Sequence, residues 1–153
     1  MPCSYAGSPG ETCPVNKALL DTDIYSEVLK AKNPTVARNA ALYRQQHGVY
    51  TVSVITVMEV VQGFYRVQNA SRLLNFLNAV GLEQIIVFDR SAAELAGRIS
   101  GHLERTGHLI GLADPMIAAV ALQHGLELVT GNTAHFQRIQ QLGYPLTLAN
   151  WRN

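Results

Sequence analysis

Asp21 closes the apolar run A-L-L, and Glu59, Asp114 and Asn132 occupy comparable points in three later segments, T-V-M-E, L-A-D-P and T-G-N-T. Carboxylates gathered into one site repel one another and raise each other's pKa unless cations are present. Hard divalent ions such as Mg2+ or Mn2+ remove that conflict, because they prefer oxygen ligands and retain waters that can react. Such a site suits phosphodiester hydrolysis: the metal binds a phosphate oxygen, lowers the pKa of a water and stabilises the leaving oxygen. Asp21, Glu59 and Asp114 are therefore the candidate acids. Plainer roles exist for each one alone. Glu59 with Thr56 has capping-box spacing, and Asp114 before Pro115 reads as an N-cap. Asp21 is harder to explain that way, since Thr22 or Asp23 could cap the following helix. Only the combination calls for a cation.

Other chemistries lack their residues. His47, His102, His108, His124 and His135 show no metal-binding spacing, and His47 and His124 each precede a glycine at a helix end, where a cation suits the helix dipole. All five are expected to be structural or on the surface. Ser26, Ser53 and Ser91 lack a G-x-S-x-G context, and no phosphate-loop or dinucleotide glycine signature occurs.

The acids can meet only if the elements carrying them bring them to one edge. Short apolar or β-branched runs at 18–20, 49–55, 84–88, 126–130 and, weakly, 146–148 alternate with segments of helical period. A first helix is expected after Asp23; Asn33-Pro34 starts a second, which Gly48 closes. Thr56 to Glu59 and Ser91 to Glu94 announce two more by their capping-box spacing. Asp114-Pro115 opens M-I-A-A-V-A-L-Q-H, an almost wholly apolar helix that ends at Gly125 and is expected to be buried around most of its circumference. Alternation of this kind implies right-handed crossovers and a parallel sheet of four to five strands covered on both faces, a three-layer α/β/α arrangement. In such sheets ligands bind beyond the carboxyl ends of the strands, where strand order reverses.

The chain's 153 residues fit one domain, and with 48% hydrophobic and 15% charged residues a compact soluble globule is expected. No apolar run approaches the roughly 18 residues of a membrane span. The opening M-P-C-S-Y-A-G-S-P-G-E-T-C-P lacks the basic start and apolar middle of a signal peptide, so a cytoplasmic location is expected. Residues 1–14, which hold Cys3 and Cys13, read as a flexible extension or the product of a wrongly chosen start codon, with two free thiols; the domain is expected at 15–153. The net charge of +1 gives no general pull on nucleic acid. If cations neutralised three of the 11 acidic residues, however, 12 basic residues would face 8 acidic ones, a net +4.

The blocks L-L-D-T-D, T-V-M-E-V-V-Q-G-F, I-G-L-A-D-P-M-I-A-A-V-A-L and L-V-T-G-N-T-A-H-F, in this order from about Lys17 to Trp151, closely resemble PIN-domain ribonucleases of the VapC toxin type. That resemblance implies a PIN-like α/β/α sandwich and Mg2+- or Mn2+-dependent endoribonuclease activity. Asp21, Glu59 and Asp114 would be the acidic metal-binding triad, with Thr130 and Asn132 completing the pocket. Asn132 stands where some relatives carry a fourth acid, and Ala134 and His135 supply none. The resemblance further implies a small cognate antitoxin, whose C-terminal segment lies across the groove and inserts a basic side chain near the carboxylates, and a homodimer. Phe64, Tyr65, Leu73, Leu74 and Phe76 are compatible with a binding face and equally with core packing.

Two rivals fit less of the chain. D-T-D resembles the D-x-D of haloacid-dehalogenase-like phosphatases, but Ile24 and Tyr25 follow it, no lysine occurs after Lys32 and no Asp-Asp pair exists. A PIN-like binding module that sequesters a partner without cleaving RNA would not need the three acids.

Overall fold

A computed structural model of the chain describes residues 14–153, so the expected extension, apart from Pro14, lies outside the described residues. Five parallel strands, β1 (Ala18–Leu20), β2 (Thr51–Ser53), β3 (Gln84–Ile86), β4 (Glu127–Val129) and β5 (Leu148–Ala149), form one sheet in the order β3-β2-β1-β4-β5. The helices are α1 (Thr22–Lys30), α2 (Pro34–His47), α3 (Val54–Arg66), α4 (Ala70–Val80), α5 (Arg90–Arg105), α6 (Ala113–His124) and α7 (Thr133–Gln141).

Strand side chains alternate between faces, and that alternation builds two cores. Leu19 and Leu128, partners in the β1–β4 register, pack with Ile99, Leu103, Ile117 and Phe136 beneath α5, α6 and α7. Ala18, Leu20, Val52 and Val129 face the other way, onto Tyr25, Val36, Tyr43 and Phe76 of α1, α2 and α4. The result is the expected three-layer α/β/α sandwich. Helix α6 is enclosed: Ile117 to Ala121 are all 0% exposed. Gly125, with φ 61°, turns the chain out of it.

Element ends differ from expectation wherever a nearer capping group exists. The apolar run 49–55 is strand only to Ser53, because Ser53 Oγ accepts from Ile55 N at 2.9 Å and starts α3 there. Thr56 and Glu59 therefore lie inside α3 and form no capping box. At α5, Asp89 caps by accepting from Ala92 N at 2.8 Å, and Glu94 instead pairs with Arg90 at 3.4 Å. Helix α1 begins at Thr22, one residue before Asp23, with Asp21 itself as N-cap. Asp114 is not an N-cap either: it lies in the first turn of α6, which starts at Ala113 with no side-chain cap. The apolar segment after Val60 is split between α3 and α4, with Phe76 buried while Tyr65 and Leu74 are exposed. Among the described residues, no helix is long and apolar enough to cross a membrane.

The buried Tyr43 hydroxyl ties α2 to the start of β1, taking the Ala18 N–H at 3.1 Å and donating to the Ala18 carbonyl at 3.2 Å. Tyr43→Phe leaves both groups with a lost partner and should cost about 1–3 kcal/mol. Urea denaturation checks this, with a lower midpoint and an unchanged slope expected.

Candidate active site

β1 and β4 are neighbours at the point where strand order reverses, and Asp21 and Thr130 follow their carboxyl ends. The sheet ladder runs on through both residues: Asp21 N donates to Val129 O and Thr130 N to Ala149 O, each at 2.9 Å. Asp21, 5% exposed, is thus fixed by backbone before its side chain makes any contact.

Its two oxygens are both engaged. Oδ1 accepts from Thr22 N at 2.8 Å and Oδ2 from the Thr130 hydroxyl at 2.7 Å. From each oxygen a hydrogen-bonded string leads to another candidate residue. On one flank the Thr22 hydroxyl donates to Glu59 Oε1 at 2.6 Å and stands 2.9 Å from the Thr56 hydroxyl, which can donate to it. On the other, Thr130 Oγ1 accepts from Asn132 N at 3.0 Å. Asn132 Nδ2 lies 2.7 Å from His135 Nδ1, and that same nitrogen is 2.9 Å from Asp114 Oδ2. Nδ1 donates to Asp114 when it carries a proton and accepts from Asn132 when it does not.

All five candidates, Asp21, Glu59, Asp114, Thr130 and Asn132, therefore sit at one sheet edge, but they do so through intermediates that sequence reasoning missed. Thr22 and Thr56 bridge to Glu59, and His135, expected to be structural or on the surface, bridges to Asp114. Only His135 had a legible signal, its place three residues after Asn132 at the start of a helix. Asp23 adds a further carboxylate: Oδ2 accepts from Gly131 N at 3.1 Å and pairs with Arg152 at 3.4 Å.

Burial pushes the Asp21 carboxyl up to about 7; Asp23 and, less strongly, Asp114 push the same way, against the Thr130 and Thr22 hydrogen bonds. Burial also raises Asp23, opposed by the Ile24 N–H, Arg152 and the Gly131 N–H. Among the described residues, no three His, Cys, Asp or Glu side chains stand together as a ready-made metal cluster. The donor set nevertheless fits a hard divalent cation. Asp21 is a buried carboxylate short of positive charge, Asp114 is its electrostatic neighbour, and Mg2+ is commonly held by one or two carboxylates plus waters.

A PIN-domain family profile matches residues 18–142. The tRNA(fMet)-specific endonuclease VapC of Shigella flexneri is 32% identical over 80% of this chain and 92% of its own length. Ribonuclease VapC2 of Haemophilus influenzae is 32% identical over 88% of this chain and 98% of its own. The DNA-bound VapBC structure from Salmonella typhimurium superposes with a TM-score of 0.74 at 27% identity, covering 90% of this chain and 99% of that one.

A folded-state pKa raised from 3.8 to about 7 means that the folded chain holds the Asp21 proton where the unfolded chain has released it. Stability is then full below about pH 4 as far as this group is concerned, and is lost as pH rises through 7. In metal-free buffer, Asp21→Asn should flatten that decline and be the more stable protein at pH 8, by on the order of 1–3 kcal/mol. Thermal melts across pH 4–8 check it; Mg2+ should raise the Tm of the parent at pH 8 and leave the variant unmoved.

Proposed function

We propose, from the premise that this chain belongs to the PIN-domain family and is a homologue of VapC-type toxins, that it is a divalent-metal-dependent endoribonuclease. Its proposed substrate is tRNA or another structured RNA, cut by hydrolysis, with a cognate antitoxin as inhibitor. The observation that carries this reading is the set of hydrogen bonds that links Glu59 through Thr22, Asp21 and Thr130 to Asn132, with His135 Nδ1 between Asn132 and Asp114 and bonding one of the two at a time. It gathers Asp21 at the start of α1, Glu59 of α3 and Asp114 of α6 at a switch point, where a buried carboxylate invites a cation.

Asp21 and Asp114, with Glu59, would hold Mg2+ or Mn2+. When bound, the ion supplies Lewis-acid stabilisation of phosphate oxygens and lowers the pKa of a water. The chain's own residues set the geometry. Thr22 N–H and the Thr130 hydroxyl hold the two Asp21 oxygens in one orientation. Thr22 fixes Glu59 through Oε1, leaving Oε2 as the oxygen that would face the ion. His135 holds Asp114 through Nδ1. Attack by water in line with the 3′-oxygen, which leaves as a hydroxyl, would give the expected 5′-phosphate and 3′-hydroxyl ends, with no 2′,3′-cyclic phosphate.

The partner reading draws on the related structures, which include DNA-bound VapBC assemblies and a toxin–antitoxin complex from Klebsiella pneumoniae. Here a groove of about 600 Å³ lies between α1 and the α3–α4 pair, floored by Leu29, Val60, Phe64 and Phe76 and flanked by Lys30 and Arg72. An antitoxin segment with an apolar face would fit this groove and could reach the acids along α1. Tyr65, 77% exposed, and Leu74, 59% exposed, are the proposed homodimer face. An enzyme acting on cellular RNA under an antitoxin's control would operate in the cytoplasm.

The purified chain with a panel of tRNAs, rRNA and mRNA should cleave at least one in Mg2+ or Mn2+ and none in EDTA. Asp21→Asn and Asp114→Asn should each lower the rate on the order of 10²-fold or more while keeping the parent circular dichroism. Full cleavage by Asp21→Asn would remove the assigned role. An intact panel alongside tight antitoxin binding would mean a sequestering module instead.

A further inference from the structure

We infer that Arg152 is a positioning residue of the acid site: its guanidinium clamps Asp23 and Glu27 of α1 beside Gly131, and so holds the loop 130–132 in place against Asp21. Arg152 Nε donates to Glu27 Oε1 at 2.7 Å, and Nη2 reaches both Glu27 Oε1 and, at 3.4 Å, Asp23 Oδ2. Asp23 Oδ2 also takes the Gly131 N–H at 3.1 Å, so one oxygen joins the arginine to the loop. A Cβ on Gly131 would overlap the guanidinium and stand 2.7 Å from that oxygen. Gly131 is not among the residues with positive φ, so a Cβ there would displace the guanidinium without straining the backbone.

The arginine is delivered rigidly. Trp151 is buried with its ring 5.6 Å from Tyr43, Asn39 Nδ2 donates to Trp151 O at 3.0 Å, and Arg152 N donates to Asn150 Oδ1 at 3.0 Å. Glu27 Oε2 is buried without a hydrogen bond, so Arg152 is the group that compensates the Glu27 charge. The clamp bears on the chemistry through Asn132, the neighbour of Gly131 in the loop. Asn132 N bonds Thr130 Oγ1, whose hydroxyl bonds Asp21 Oδ2. Freedom at Gly131 would pass directly into the bonds that orient Asp21 and Asn132. A guanidinium's planar fork can satisfy two carboxylates at once, and an ammonium cannot do so in the same geometry.

The kinetic part of the test rests on the ribonuclease reading; the exchange part does not. Arg152→Ala should speed amide hydrogen exchange at Gly131 and Asn132 by about tenfold or more, and leave Leu128 in β4 unchanged. With a cleaved RNA, kcat should fall roughly 10- to 100-fold with KM nearly unchanged, and Arg152→Lys should lie between. Gly131→Ala, which evicts the guanidinium, should mimic Arg152→Ala, and the double variant should be no worse than either alone. If Arg152→Ala does not fold, Arg152→Lys and Gly131→Ala carry the same comparison. Unchanged exchange at Gly131, or a raised KM with kcat intact, would overturn the inference, the latter by making Arg152 a substrate-phosphate ligand. Should no RNA be cleaved by the parent chain, the exchange result alone decides whether the clamp holds the loop.

Discussion

Removing an ionised carboxylate from water is unfavourable unless donors or charges compensate it, and Asp21 is buried at the carboxyl end of the central strand with other carboxylates beside it. Two hydrogen bonds hold its oxygens and lower its pKa, yet burial and Asp23 outweigh them. The site is therefore built with a shortage of positive charge that its own residues do not meet. A divalent cation would meet it, as would protonation of Asp21 below about pH 7, and the two compete for the same oxygens. Nearly every other polar contact at this edge either orients Asp21 or connects it to a second acid.

Helix starts explain how so many acids are tolerated there. Asp21 is the N-cap of α1, Asp114 lies in the first turn of α6 and Asn132 precedes α7. The N-terminal end of each helix carries unsatisfied N–H groups and a partial positive charge, which favours carboxylates and phosphate oxygens alike. Strand order 3-2-1-4-5 points these helix starts at the same edge, since β1 and β4 are adjacent and their following helices leave on opposite faces. The fold thus brings the helix N-termini and the acids that they favour to the same place.

Capping and chemistry are not alternatives at these positions, although the residue types make them look so. Asp21 caps α1 through Oδ1 and takes the Thr130 hydroxyl on Oδ2, so one carboxylate serves both uses. Glu59 and Asp114 are attributable to caps only if helix starts are placed too late along the chain. Ser53 and the first turn at Ala113 move those starts and release both acids for other partners. Short strands are the reason for such errors. A three-residue strand such as Thr51–Ser53 runs into V-I-T-V without any change in hydrophobicity, and a single Ser53 hydroxyl sets the boundary.

The order of strands and helices, the buried character of α6, the covered parallel sheet and the positions of Asp21 and Asn132 just beyond strands β1 and β4 all follow from local signals: hydrophobic period, proline and glycine placement, and residue type. Those signals act over a few residues, and so they can be read along the chain. The roles of Thr22, Thr56, Asp23 and Arg152 could not be read that way, nor could the bond from His135 to Asp114, although the place of His135 three residues after Asn132 was legible. Each depends on a partner far along the chain, Thr22 on Glu59, Asp114 on His135, Arg152 on Glu27 at a separation of 125 residues. Hydroxyls, imidazoles and guanidiniums bond equally well to water, so their types carry no trace of which partner they will meet. Only the parallel packing of β1 against β4, with α1 and the C-terminal turn closing over the same edge, determines that these groups bond to one another.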